Sequence, residues 1–118
     1  MPNPLCHFEI MATNPEASRK FYASIFDWSF DDSSMPGYTI INPGAEPNGG
    51  LFQTPPGTPG PCMNVYFMVS DVDGTVDKAV KGGAKVLVPA SDIPHVGRFA
   101  LLADPEGIVF GLFRTQHE

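Results

Sequence analysis

A chain of 118 residues with 42% hydrophobic and 17% charged side chains is one domain's worth of globular protein, long enough to bury a core. Seven basic residues, scattered along the chain, stand against thirteen acidic ones, and the net charge of −6 argues against nucleic acid or an anionic membrane surface as partner. No apolar run reaches membrane-span length, MPNPLCHFEI has no leader character, and two cysteines (Cys6 and Cys62) are too few for a disulfide framework, so a reducing cytoplasmic setting is expected.

Residues 5–12, LCHFEIMA, read as a strand with Phe8, Ile10 and Ala12 on one face and His7, Glu9 and Met11 on the other. A helix follows: Asn14 caps it, Pro15 suits its first position, Glu16 complements its dipole, and Phe21, Tyr22, Ile25 and Phe26 supply an apolar stripe. Phe21, Tyr22 and Trp28 are expected in the core. Short strands are predicted at 28–30, 38–41 and 50–53, with DDSSMPG and NPGAEPNG as turns. TPPGTPGP, residues 54–61, breaks the pattern, which then restarts. Residues 64–69 read as a strand. Asp71 caps a helix that buries Val72, Val76 and Val80 and stops at Gly82-Gly83, and three strands follow at 85–89, 99–103 and 108–113.

The order is therefore βαβββ twice: module one at 5–54, a linker at 55–61, module two at 62–114. HFEIMATNPE from His7 lies over NVYFMVSDVD from Asn64, a step of 57, while GLFQT from Gly50 lies over GLFRT from Gly111, a step of 61. A length difference of four inside a turn reconciles the two steps.

The closing DPEGIVFGLF, residues 104–113, is similar to the DP-x-G-N-x-x-E-L ending of the vicinal oxygen chelate superfamily. That superfamily includes glyoxalase I, bleomycin-resistance proteins and extradiol dioxygenases. HFEI…NPEASRKFYASIFDW, residues 7–28, resembles the family's first strand and helix, and VYFMVSDVD and IPHVGRFALLADPEG fall where a second module should have them. The resemblance implies an α+β fold of two tandem βαβββ modules, a curled mixed sheet around a cavity, and a homodimer. It also implies a lyase of the lactoylglutathione type or a dioxygenase, using a divalent ion held by four ligands, one from the first and one from the last strand of each module.

Carried over position by position, those ligands fall on His7, Gly50, Asn64 and Gly111. Only His7 is a good donor to a transition metal; glycine has no side chain and a carboxamide binds weakly. No metal or other cofactor is therefore expected. His7 with Glu9 and a loop histidine, His95, is a minor metal alternative, weakened by the roughly 7 Å that separates residues i and i+2 of a strand. His117 falls in the C-terminal tail. The two glycines are expected to widen the pocket.

The expected ligand-binding residues are His7, Glu9, Met11, Phe52, Asn64, Tyr66, Met68 and Phe113, an aromatic and thioether lining with a small polar cluster that suits a small organic molecule. Glu9 or His7 could serve as general base, with Tyr66 or Asn64 as oxyanion donor. The same cluster is equally a closed hydrogen-bond network with no chemistry. Three functions follow: a metal-free small-molecule binder, a metalloenzyme, or an accessory domain with a vestigial pocket.

Overall fold

The computed structural model describes residues 3–115; His117 lies outside them. Eight strands and two helices follow one another as β1 (Leu5–Ala12), α1 (Pro15–Ile25), β2 (Ser29–Met35), β3 (Tyr38–Asn42), β4 (Gly49–Gln53), β5 (Cys62–Met68), α2 (Val72–Lys81), β6 (Lys85–Ile93), β7 (Gly97–Ala103) and β8 (Val109–Thr115). This is the twice-written βαβββ order. Both helix starts are as the caps require. The Asn14 side chain accepts from Ala17 N at 3.1 Å, and that of Asp71 from Gly74 N at 3.0 Å. Two strands run further than expected. β2 extends through Ser33 to Met35, so only Pro36 and Gly37 separate it from β3, and β6 reaches Ile93. Pairing with the neighbouring strand sustains both extensions: Met35 pairs with Tyr38, and Ile93 with Gly97.

The chain divides into two compact units, residues 7–64 and the remainder. In the 7–64 unit the strand order is β2-β3-β4-β1. β1 and β4 are parallel, with Glu9 beside Gly50 and Met11 beside Phe52, and the other pairs are antiparallel. Ile10, Ala12, Ile41 and Leu51 form its core, flanked by Phe8, Tyr22, Trp28 and Phe30. In the other unit the order is β5-β8-β7-β6, with β5 and β8 parallel. Its core is Val69, Val72, Ala100, Leu102 and Leu112, packed by Val76, Ala79 and Val86.

The repeat is visible in the registers. Tyr38 pairs with Phe52 in one unit, and Phe99 with Phe113 in the other. Two sequence expectations fail on the helices. Phe21 is 58% exposed, not core, and Ile25 beside it is 53% exposed; of the three aromatics expected in the core, Tyr22 and Trp28 pack against it. On α2, Val80 points outward and Ala79 takes the inward place. Each helix meets its sheet along a narrow stripe, and the smaller or more central side chain occupies it.

At the far end, Asp104 makes the turn expected of DPEG. Its Oδ1 accepts from Glu106 N and Ile108 N, each at 2.9 Å, and Gly107 takes φ +96°. The loop histidine, His95, sits at the β6–β7 turn with φ +66°, directly after Pro94, and Val96 N closes the turn on Ile93 O at 2.9 Å.

Candidate functional site

The first strand brings His7 and Glu9 onto one face, as its alternation predicts. Glu9 is buried, and His7 Nε2 lies 3.8 Å from Glu9 Oε2. The two side chains converge more closely than their backbone spacing suggested because a third group gathers them. Tyr38, on β3, donates its hydroxyl to Glu9 Oε2 at 3.0 Å and bonds His7 Nε2 at 2.8 Å. A phenol has one proton, and here it points to Glu9. The direction of the bond between His7 Nε2 and the Tyr38 hydroxyl is set by which ring nitrogen of His7 carries the proton.

Tyr38 reaches this place because Gly50 has no side chain. A Cβ on Gly50 would fall on the Tyr38 hydroxyl and ring. The Tyr38 ring also stacks on Phe52, with centroids 5.3 Å apart. The pocket at Gly50 is thus not widened, contrary to the sequence expectation; a tyrosine from the neighbouring strand fills it. The same holds at Gly111, where a Cβ would fall on the ring of Tyr66, its partner across β5 and β8. Tyr66 is buried and lies 6.5 Å, ring to ring, from Phe99. Met68 pairs with Phe113 beside it.

Electrostatically the His7 cluster is quiet. Burial lowers the affinity of His7 for a second proton, and a backbone hydrogen bond with Asn48 opposes this only in part. Burial, then the charge of Glu9 and the hydrogen bond to it, raise the Tyr38 phenol far above its ordinary value, so it stays protonated. Neither thiol is activated. Burial raises Cys6, and burial followed by the charge of Glu9 raises Cys62.

The residues at the four family ligand positions do not suit a divalent ion. Gly50 and Gly111 offer no donor and are covered by tyrosines, and His7 is engaged by Tyr38. Asn64 is 3% exposed, and its amide atoms have no hydrogen-bond partner among the described residues. The combination of His7, Glu9 and His95 does not form either: among the described residues no three of His, Cys, Asp and Glu gather as a metal site would require.

Sequence reasoning placed His7, Glu9, Met11 and Phe52 correctly on neighbouring strands of one unit. Met11 is fully buried there. It missed Tyr38. The available signal was the β3–β4 hairpin, whose antiparallel register sets Tyr38 opposite Phe52 and hence on the face of Gly50. A cleft of about 260 Å³ opens beside the start of α1, lined by Glu16, Arg19, Asp32, Met35, Tyr38 and Thr39 among others. Its charges are largely spent on one another. Arg19 Nη1 holds both oxygens of Asp32, at 3.0 and 2.8 Å, and Thr39 donates to Asp32 at 2.6 Å.

Comparison with known proteins places this architecture. The family model described as the Glyoxalase/Bleomycin resistance protein/Dioxygenase superfamily matches residues 5–112, and the chain belongs to that superfamily. CFP32 of Mycobacterium tuberculosis, which carries a provisional glyoxylase name, is 38% identical over 114 residues, covering 91% of this chain and 44% of that protein. The anthracycline biosynthesis protein DnrV of Streptomyces peucetius is 25% identical over 130 residues, covering 96% and 47%. The chain thus spans about half the length of these curated relatives. Among solved structures, methylmalonyl-CoA epimerase from Mycobacterium tuberculosis superposes with a TM-score of 0.64 at 15% identity, covering 94% of this chain and 87% of that one. A superfamily member from Vibrio splendidus gives 0.65 at 10% identity, covering 97% and 99%. These likenesses establish the fold.

Proposed function

We propose that this chain is a metal-free member of its superfamily that binds or transforms a small organic molecule. The observation that carries the reading is Tyr38. Its hydroxyl occupies the space beside Gly50 and bonds both His7 and Glu9, two strong metal donors near the family position. An ion entering there would have to expel a buried phenol and break two hydrogen bonds before gaining more than two protein ligands.

What remains for ligand recognition in the 7–64 unit is an aromatic wall with sparse polarity, the half-buried Tyr38–Phe52 stack. Such walls favour flat, partly apolar molecules over small anions. The names of the relatives suggest the first ligands to try: anthracyclines, after DnrV, and glyoxylase substrates, after CFP32.

Elemental analysis of protein purified without chelators, then soaked with Ni²⁺, Zn²⁺ or Fe²⁺, tests the metal-free reading. Stoichiometric retention of any of these ions would overturn it and return the metalloenzyme reading to first place. A thermal-shift screen with the two ligand classes tests binding. Saturable protection is expected from at least one, and none from either would favour a vestigial pocket.

A further inference from the structure

The second module shows what belongs in the cleft beside α1. The helix caps Asn14 and Asp71 set Glu16 of α1 against Asp73 of α2, and each is the acid of its helix's first turn. The paired registers Tyr38–Phe52 and Phe99–Phe113 set Gly37 against Arg98. In module two that arginine reaches the helix acid. Its Nε and Nη2 donate to the two oxygens of Asp73 at 2.8 and 2.9 Å, and its Nη1 donates to Asp92 at 3.0 Å. One guanidinium thus ties the acid of the helix to an acid of the edge strand β6, in the fork geometry that suits a carboxylate.

Module one keeps the helix acid and lacks the arginine. Glu16 and Gly37 both line the cleft, and a Cβ on Gly37 would meet nothing within 4 Å. Arg19 takes over only part of the task. Its Nη1 bonds Asp32 on the edge strand β2, and its guanidinium lies 5.2 Å from the centre of the Phe30 ring. Glu16 is exposed and has no hydrogen bond or ion pair among the described residues.

Two carboxylates, Glu16 and Asp32, therefore face one guanidinium, and the cleft carries a negative charge in excess. Pro15, Met35 and Leu51 supply apolar wall beside it. This is the wrong charge for a phosphate or a carboxylate. A guanidinium suits it better than an ammonium, because it is flat, less strongly hydrated and able to bond a carboxylate with two parallel N–H groups.

We infer that the cleft is a binding site for a guanidinium group carried on a short apolar stem, held by Glu16 as Arg98 is held by Asp73. The group comes from outside the module because Gly37 has no side chain to supply it. The assignment does not depend on what binds beside His7.

Nuclear magnetic resonance titration of the isotope-labelled full chain with ethylguanidinium chloride at low salt tests it, with tetramethylammonium chloride as the ionic-strength control. Saturable shifts of the Gly37 and Thr39 amides are expected, with a Kd of roughly millimolar order. Glu16→Gln keeps the size of the side chain and removes its charge, and should weaken binding about tenfold. Arg19→Met frees Asp32 and should tighten binding about fivefold or more, which a purely structural role for these charges would not produce. Agmatine and N-acetyl-arginine-methylamide separate the two sources of the group: agmatine binding alone assigns a small guanidinium compound, and equal binding of the blocked arginine assigns an arginine of a partner protein. Shifts that merely follow those of tetramethylammonium, affinity indifferent to Glu16→Gln, or weaker binding by Arg19→Met with unchanged circular dichroism would each overturn the proposal.

Discussion

Gly50→Ala is the smallest change that challenges the site. The added methyl coincides with the hydroxyl end of Tyr38, so the ring must leave, and in leaving it breaks its bonds to Glu9 and His7. A hydrogen bond to a charged acceptor contributes about 1.5–3 kcal/mol and a neutral one about 0.5–1.5 kcal/mol. Against this, replacing a strand glycine by alanine returns about 0.5–1 kcal/mol through the unfolded chain. The net expectation is a loss of about 1–4 kcal/mol, read from urea denaturation followed by far-ultraviolet circular dichroism. The decisive measurement is the double-mutant cycle. In a Tyr38→Ala background the methyl enters vacated space, so Gly50→Ala should be neutral or mildly stabilising, giving a coupling energy of at least about 2 kcal/mol. If Gly50→Ala costs less than about 0.5 kcal/mol in the wild type, or costs the same in both backgrounds, Tyr38 is not seated on Gly50 as described.

Three further outcomes are expected. Because burial holds His7 below its ordinary value of 6.5, the native state binds fewer protons than the unfolded chain as pH falls from there. Stability should therefore drop as pH is lowered through 6.5 towards the folded value, and His7→Gln should flatten the melting-temperature profile in that window; an unchanged slope would place the titration elsewhere. His95 holds a left-handed backbone at φ +66° that glycine adopts freely, so His95→Gly should raise stability by about 0.5–1 kcal/mol in thermal melts. Leu102 is wholly buried beside Val72 and Ala100, and Leu102→Ala should cost about 2–5 kcal/mol by denaturant titration.

The elements that sequence identified best are those governed by local rules. Asn14 and Pro15 could only begin a helix, Asp71 repeats the device, and the paired glycines after Lys81 end it. Strand lengths were less accessible, since β2 and β6 continue only where another strand accepts their hydrogen bonds. The inward faces of the helices were misjudged for a related reason. Phe21, Tyr22, Ile25 and Phe26 spread over so much of the circumference of α1 that periodicity alone does not say which side the sheet will take. At the site, counting from Asp104 and from the helix caps located His7, Gly50, Asn64 and Gly111. What counting does not supply is the cross-strand neighbour. A glycine in a sheet was read as missing chemistry, when it also marks the place where a ring from the next strand comes to rest.

The two halves arrive at that arrangement by different routes. Repeat registers place Tyr38 level with Phe99, and Glu9 level with Tyr66. In one half the hydroxyl comes from the third strand and the carboxylate from the first; in the other the first strand carries the phenol and the third a plain phenyl ring. The two modules thus fill the space beside their corresponding glycines with a tyrosine from different strands, β3 in one and β5 in the other. Carrying the phenyl ring of Phe99 over to position 38 would take from Glu9 and His7 the hydroxyl they share. A carboxylate side chain at position 50 would have to displace Tyr38, so the glycine and the tyrosine can change only together.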